Sequence, residues 1–409
     1  GSGAGRPGRR PTPHQADRAG GACQRRGNAL GGKSAGGGAF PAAARRVMLA
    51  VRRRKRKAAE APQPIVQRRK HMTEKKTLIF VGLLTFMLAT YPMFFDIYRT
   101  AAFNTVPRDD YAPYLLTLVG QGDSVPGAPF AYRILSVAVA IPFYYILPTY
   151  AFTNLSNVDT AYLKATQALS FSSYVSLVVT AVIIYAISRK QFLATKASSL
   201  IVGLMSFFLC NFVSRVGIDP FVILIISLLL LWLNNPLVFT SLILLSMGIN
   251  EKIPIIFATI LTFRVVTAIT QRRRFTLYVQ LCSSCLAVAG YFVATLLLKI
   301  PGNETQTNPT FFLANLKSSL IYTLSLKGLF LNALPVLVLS LVVVFAVKSR
   351  NFHVLDVSGL IVLLILALIA DVVYNIGRVV MYSYPLYLPA VACFIDDVLK
   401  LEDAPHETS

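Results

Sequence analysis

Charge is what this chain has least of. Asp, Glu, Lys and Arg make up 14% of its 409 residues, against 55% hydrophobic, whereas a soluble domain carries about 25% charged residues. Histidine is almost absent: His14, His71, His353 and His406 are the four, and none lies well inside an apolar run. That argues against histidine-based catalysis. Cysteine is scarce too. Of Cys23, Cys210, Cys282, Cys285 and Cys393, four fall within apolar stretches, so no disulfide framework is evident. Cys282-Ser283-Ser284-Cys285 has redox-motif spacing, but without nearby His or Cys it reads as small residues that let helices approach closely. No run alternates apolar and polar residues over about ten positions, which argues against a membrane β-barrel.

One sign of charge is scarce in one place. Residues 1–76 hold 20 Lys/Arg against 3 Asp/Glu, so most of the net +22 belongs to this segment. Phe40 is its only aromatic residue. Base stacking is therefore poorly served, and nucleic acid is an unlikely partner. Residues 1–71, rich in Gly, Ala, Pro and Arg, read as a disordered basic tail or a non-native leader ahead of Met72. An organelle transit peptide is the rival reading, weakened by the shortage of Ser.

What the chain has in abundance is long apolar runs. Eleven candidate segments occur at about 77–98, 132–150, 166–187, 197–213, 219–234, 236–249, 253–270, 276–299, 329–347, 357–375 and 379–397. Backbone groups in lipid must be satisfied within the segment, so these read as helices. The expected fold is all-α: a polytopic transmembrane bundle of about 10–11 spans over residues 72–400, followed by a short polar tail at 401–409. The loops 99–130 and 300–327 are expected outside. Within the first, Tyr111 to Val119 reads as a short surface helix.

Basic connectors at Arg189-Lys190, Arg272-Arg273-Arg274 and Lys348-Ser349-Arg350 mark inside loops. Counting crossings back from Arg272 puts the N-terminus outside, whereas its own basic cluster puts it inside. One segment must therefore fail to cross, and 132–165, interrupted by Pro142 and Pro148, is the suspect. The alternative is an unusual broken pair over 236–270.

Ionisable groups in membrane segments are costly, so each is a candidate functional residue. Four clusters stand out: Asp109-Asp110 with Arg133; Arg215 with Asp219; Glu251-Lys252; and Asp371 with Arg378. Each also has a plain structural reading. Asp219, preceding Pro220, would cap a helix; Arg215 and Lys252 would be interfacial anchors; Glu251 and Lys252 would neutralise each other; the Asp pair would be solvated.

Together they suit one chemistry. Cations, Arg especially, bind phosphate oxygens at a membrane surface. A carboxylate takes the proton of an acceptor hydroxyl. Asp109 or Asp110 would be that base, and the other would orient the acceptor or bind Mg²⁺ or Mn²⁺. Arg133, Arg215, Glu251, Lys252, Asp371 and Arg378 would bind substrate. A transporter or lipid flippase, or a polysaccharide polymerase-like protein, would be the alternatives.

Three motifs carry a resemblance. Arg108-Asp109-Asp110-Tyr111 directly follows the first apolar segment, Pro129-Phe130-Ala131-Tyr132-Arg133-Ile134-Leu135 opens the next, and Asn250-Glu251-Lys252 follows a short one. Over about residues 77–270 the layout resembles the GT-C superfamily of polyprenyl-phosphate-sugar glycosyltransferases, in bacterial-type form. The resemblance implies a catalytic acidic pair in the first outside loop and a polyprenyl-phosphate sugar as donor. It also implies a multi-pass protein. Little targeting signal stands out beyond Met72, so a bacterial inner membrane is the expected setting.

Overall fold

The computed structural model describes residues 74–90, 111–123, 130–148, 160–210, 218–267, 274–298, 317–318, 321–322, 324–329, 333–348, 362 and 376–402. The chain divides into two units, Gly1–Gln67 and Arg68–Ser409, and every described residue belongs to the second. Among the described residues the structure is all-helical, without a strand.

Helix α1 covers residues 74–90. Helix α2 is Ala112–Leu118, the short helix expected between Tyr111 and Val119. Pro113 stands in its first turn, where a missing N–H costs nothing. It ends at Gly120, whose φ of +74° suits glycine. The Gly120 N–H then reaches Thr117 O at 3.1 Å and Gln121 N–H reaches Leu116 O at 2.8 Å, the paired bonds of a Schellman stop.

The run 132–150 does not form one spanning helix. A 3-10 turn, Phe130–Tyr132, leads into α3, Ile134–Ala138, and then α4, Ile141–Ile146. Pro142 has no N–H to give the carbonyl of Ala138, so the helix breaks there. Residues 134–146 would span about 20 Å even as one straight helix, short of the roughly 30 Å hydrocarbon core.

Helix α5, Thr160–Lys190, is the central post. Its buried serines return hydroxyl bonds to their own helix: Ser170 to Thr166 O, Ser172 and Ser173 to Leu169 O, Ser176 to Ser172 O. Polar atoms are thereby satisfied inside an apolar interior. Their small side chains leave room for neighbouring helices, and α2, α4, α6 (Lys196–Cys210) and α7 (Asp219–Leu231) all pack on α5.

Helix α8, Pro236–Leu245, starts at Asn235, whose side chain accepts from Val238 N–H. It runs into a 3-10 turn, Ser246–Gly248, and breaks. Helix α9, Lys252–Thr267, then packs against α10, Arg274–Leu297. From Pro236 to Thr267 the chain is thus a helix pair interrupted at Ile249–Glu251. Helix α11 is Leu334–Lys348; α12, Ile376–Met381, turns at Tyr382–Ser383 into α13, Tyr384–Glu402.

Among the described residues, two helices are long and apolar enough to cross a membrane, Thr160–Lys190 and Thr276–Leu297. They differ in setting. The apolar window of α5 is 72% buried by other helices, that of α10 only 22%. Leu286, Phe292, Val293, Leu296 and Leu297 of α10 are exposed. Cys282 and Cys285 face outward as free thiols, while Ser283 and Ser284 are buried and Ser283 meets Thr240 of α8 at 2.9 Å. The close packing expected of this motif therefore falls to its serines. The apolar stretches at Lys196–Cys210, Asp219–Leu231, Pro236–Gly248 and Leu334–Lys348 are shorter helices.

At the basic end of α5, Thr195 caps α6, its Oγ1 accepting from Ser198 N–H at 3.3 Å. Asp396 of α13 holds that cap: its carboxylate accepts from Thr195 N–H at 2.7 Å, Thr195 Oγ1 at 2.6 Å and Ser198 Oγ at 2.5 Å. An anion there also complements the helix dipole.

Candidate functional site

Arg133 lies between the 3-10 turn and α3, and only 8% of it is exposed. Its carbonyl accepts from Ser136 N–H and Ser136 Oγ, at 3.1 and 2.6 Å, which fixes the start of α3. Its side chain crosses to the break between α8 and α9. There Nε donates to Glu251 Oε2 at 3.1 Å and Nη2 to Glu251 Oε1 at 2.6 Å, the two-pronged geometry that suits guanidinium and carboxylate. The third branch, Nη1, donates to the Tyr111 hydroxyl at 2.9 Å.

Lys252 completes the group, its Nζ 3.2 Å from Glu251 Oε1. The side chains of Arg133, Glu251 and Lys252 are 9%, 15% and 8% exposed. Three charges share this buried space, with a net of one positive charge. Burial alone would push the Glu251 carboxyl up, but the charges of Arg133 and Lys252 outweigh it and hold the group well below the usual carboxylate range.

Several contacts hold this arrangement in place. Tyr111, at the start of α2, is buried beside Leu115, Val137 and Ala168. Tyr114 Oη donates to Ala131 O at 3.0 Å, tying α2 to the turn that carries Arg133. Gly248 lets the end of α8 lie on α3: a Cβ there would stand 2.9 Å from Leu135 Cδ1 and 3.0 Å from its Cγ. Tyr132 meets Tyr291 of α10 edge-on with centroids 5.7 Å apart. Tyr291 in turn lies within electrostatic reach of Glu251 and Arg133.

Of the residues singled out in the sequence, Arg133, Glu251 and Lys252 are brought together. Glu251 and Lys252 do pair, yet Arg133 supplies the shorter and doubled contact. Asp109, Asp110, Arg215 and Asp371 lie outside the described residues; Arg378 is carried on α12. Asp219 does not cap α7. It is the first helical residue, with Ile218 in the cap position and no side-chain cap bond there. Its Oδ1 instead accepts from Tyr382 Oη at 2.5 Å, and its charge acts on Lys252. The N–H groups that a cap at Asp219 would take, those of Phe221 and Val222, both turn instead to Ile218 O, at 3.0 and 3.1 Å.

Tyr111, Tyr291 and Tyr382 were not legible as site residues. Tyr111 had a signal, standing next to the acidic pair; Tyr382, 163 residues from Asp219, had none. Among the described residues no three His, Cys, Asp or Glu side chains are grouped as metal ligands. No known family, curated protein or solved structure matches the chain.

Proposed function

We propose that the chain is a polytopic membrane glycosyltransferase of the GT-C type, set in a bacterial inner membrane. It moves a sugar from a polyprenyl phosphate to an acceptor hydroxyl at the outer face. The observation that carries this reading is the Arg133–Glu251–Lys252 cluster bound to Tyr111. That tyrosine directly follows Asp109-Asp110 in the sequence, which is what links the cluster to the acidic pair in this reading. The about 10–11 spans of the reading rest on the apolar runs, supported by the lipid-like exposure of α10.

The reaction balances as follows. A carboxylate of Asp109 or Asp110 takes the proton of the acceptor hydroxyl. The hydroxyl oxygen bonds to the anomeric carbon as the bond from that carbon to the phosphate oxygen breaks. Polyprenyl phosphate leaves with the electron pair, and the cations stabilise its added charge. Mg²⁺ or Mn²⁺ would suit the oxygen ligands of the Asp pair; the transfer itself balances without a metal. Arg215, Asp371 and Arg378 remain candidates for holding donor or acceptor.

The interrupted pair α8–α9 also suits a transporter or lipid flippase, in which broken helices surround the substrate site. The test separates the two. Sugar transfer from polyprenyl-phosphate donors is measured in membranes for the unaltered protein, Asp109→Asn and Asp110→Asn. Loss of about 10²–10⁴-fold in one variant is expected for a general base. Unchanged transfer in both sinks the assignment, and substrate flux without transfer identifies a transporter.

A further inference from the structure

The side chain of Asn250 has an unusual position. The residue is fully buried, with 0% exposure. Its Oδ1 accepts from Lys252 N–H at 3.1 Å, at the first turn of α9. Its backbone is equally committed: Asn250 N–H donates to Ser246 O at 2.9 Å, and Asn250 O accepts from Ile253 N–H at 3.1 Å. The amide nitrogen alone has no acceptor. It shares a carbon with Oδ1, so this donor is pinned at the N-terminal end of α9.

A buried amide donor without a partner costs free energy that a native fold seldom leaves uncompensated. The surroundings favour an anion. The sixteen-residue α9 directs the positive end of its dipole here. The Lys252 ammonium carries three N–H groups, of which one points to Glu251. Both oxygens of Glu251 are taken up by Arg133. Asp219, the other carboxylate that acts on Lys252, accepts from Tyr382.

We infer that the start of α9 is a phosphate subsite, in which Asn250 Nδ2 and Lys252 Nζ donate to the phosphate oxygens of a polyprenyl phosphate. The inference rests on the glycosyltransferase reading for the identity of the lipid. Asn250 is a binding residue in it, and takes no proton.

The probe is undecaprenyl phosphate, titrated into the full chain in nanodiscs. Undecaprenol serves as the phosphate-free lipid and inorganic phosphate as the lipid-free anion. Asn250→Asp keeps an oxygen for Lys252 N–H and replaces the amide donor with a negative charge. Asn250→Ser keeps an oxygen and withdraws the donor, and serves if the first variant is not monodisperse. Undecaprenyl phosphate is expected to bind well above undecaprenol, and the variant to lose about tenfold or more in affinity. Inorganic phosphate binding as tightly as the lipid, with the same loss in the variant, assigns the subsite to free phosphate and excludes the lipid. Equal affinity of variant and unaltered protein overturns the subsite, since a water at Nδ2 would then suffice. So does equal binding of undecaprenol and undecaprenyl phosphate. Binding requires no turnover, so failure of the Asp109 and Asp110 assignment leaves this result distinct.

Discussion

Arg133 and Glu251 stand 118 residues apart and meet through two hydrogen bonds, of 3.1 and 2.6 Å, in a space that admits little solvent. The pair clamps the broken segment 130–146 to the interruption between α8 and α9.

Removing one partner leaves a buried charge behind. Arg133→Ala is expected to lower stability by about 3–5 kcal/mol, read as detergent-solubilised thermal unfolding. Arg133→Met with Glu251→Leu and Lys252→Met should recover most of that loss, because buried charges can be replaced by apolar contacts once none is left unpaired. Transfer activity should stay absent in the triple variant. Recovery of both would make the pair purely structural.

The carboxyl of Glu251 is depressed in the folded chain. Its stabilising contribution is therefore present above the unfolded pKa of about 4.3 and is lost as pH falls below that toward the folded value. The gap in unfolding temperature between the unaltered protein and Glu251→Gln should hold from pH 7 to about pH 5 and shrink below about pH 4. A gap that closes near neutral pH would contradict the pairing.

Tyr111→Phe removes the hydroxyl that accepts from Arg133 Nη1 and leaves the ring in its apolar setting. About 1 kcal/mol of stability should go with it. If Tyr111 fixes the loop that carries the acidic pair, kcat falls several-fold while KM for the donor changes little. An unaltered kcat removes Tyr111 from that role.

At the far end, Asp396→Ala withdraws three acceptor contacts from the start of α6. A loss of about 2–4 kcal/mol is expected. Hydrogen exchange should quicken at residues 195–199, with donor affinity unchanged at a temperature where both proteins are folded.

The sequence's legibility followed the range of the forces involved. Pro142 marked a break truly, dividing α3 from α4, whereas Pro389 lies inside α13 without ending it. The apolar runs located α10 to within two residues and α5 to within six, because burial acts along the segment itself. Charge cost flagged Arg133, Glu251 and Lys252 one by one. Their meeting depended on helix packing, which leaves no local trace. Asp219 shows the limit: next to a proline it resembled a cap, and a tyrosine from the other end of the chain claimed it.

Helix α5 also acts as a ruler. Its contacts with the Tyr111 platform centre on Ala165, Ala168 and Leu169, and its basic end is Arg189–Lys190. About 24 residues separate the two, or roughly 36 Å of helix, a little more than the hydrocarbon thickness of a bilayer. In the membrane setting proposed above, a bilayer anchored at Lys190 would run out of acyl chain where Tyr111 and Arg133 begin. The charges gathered there would then stand at headgroup depth, where a lipid's phosphate resides before any protein binds it.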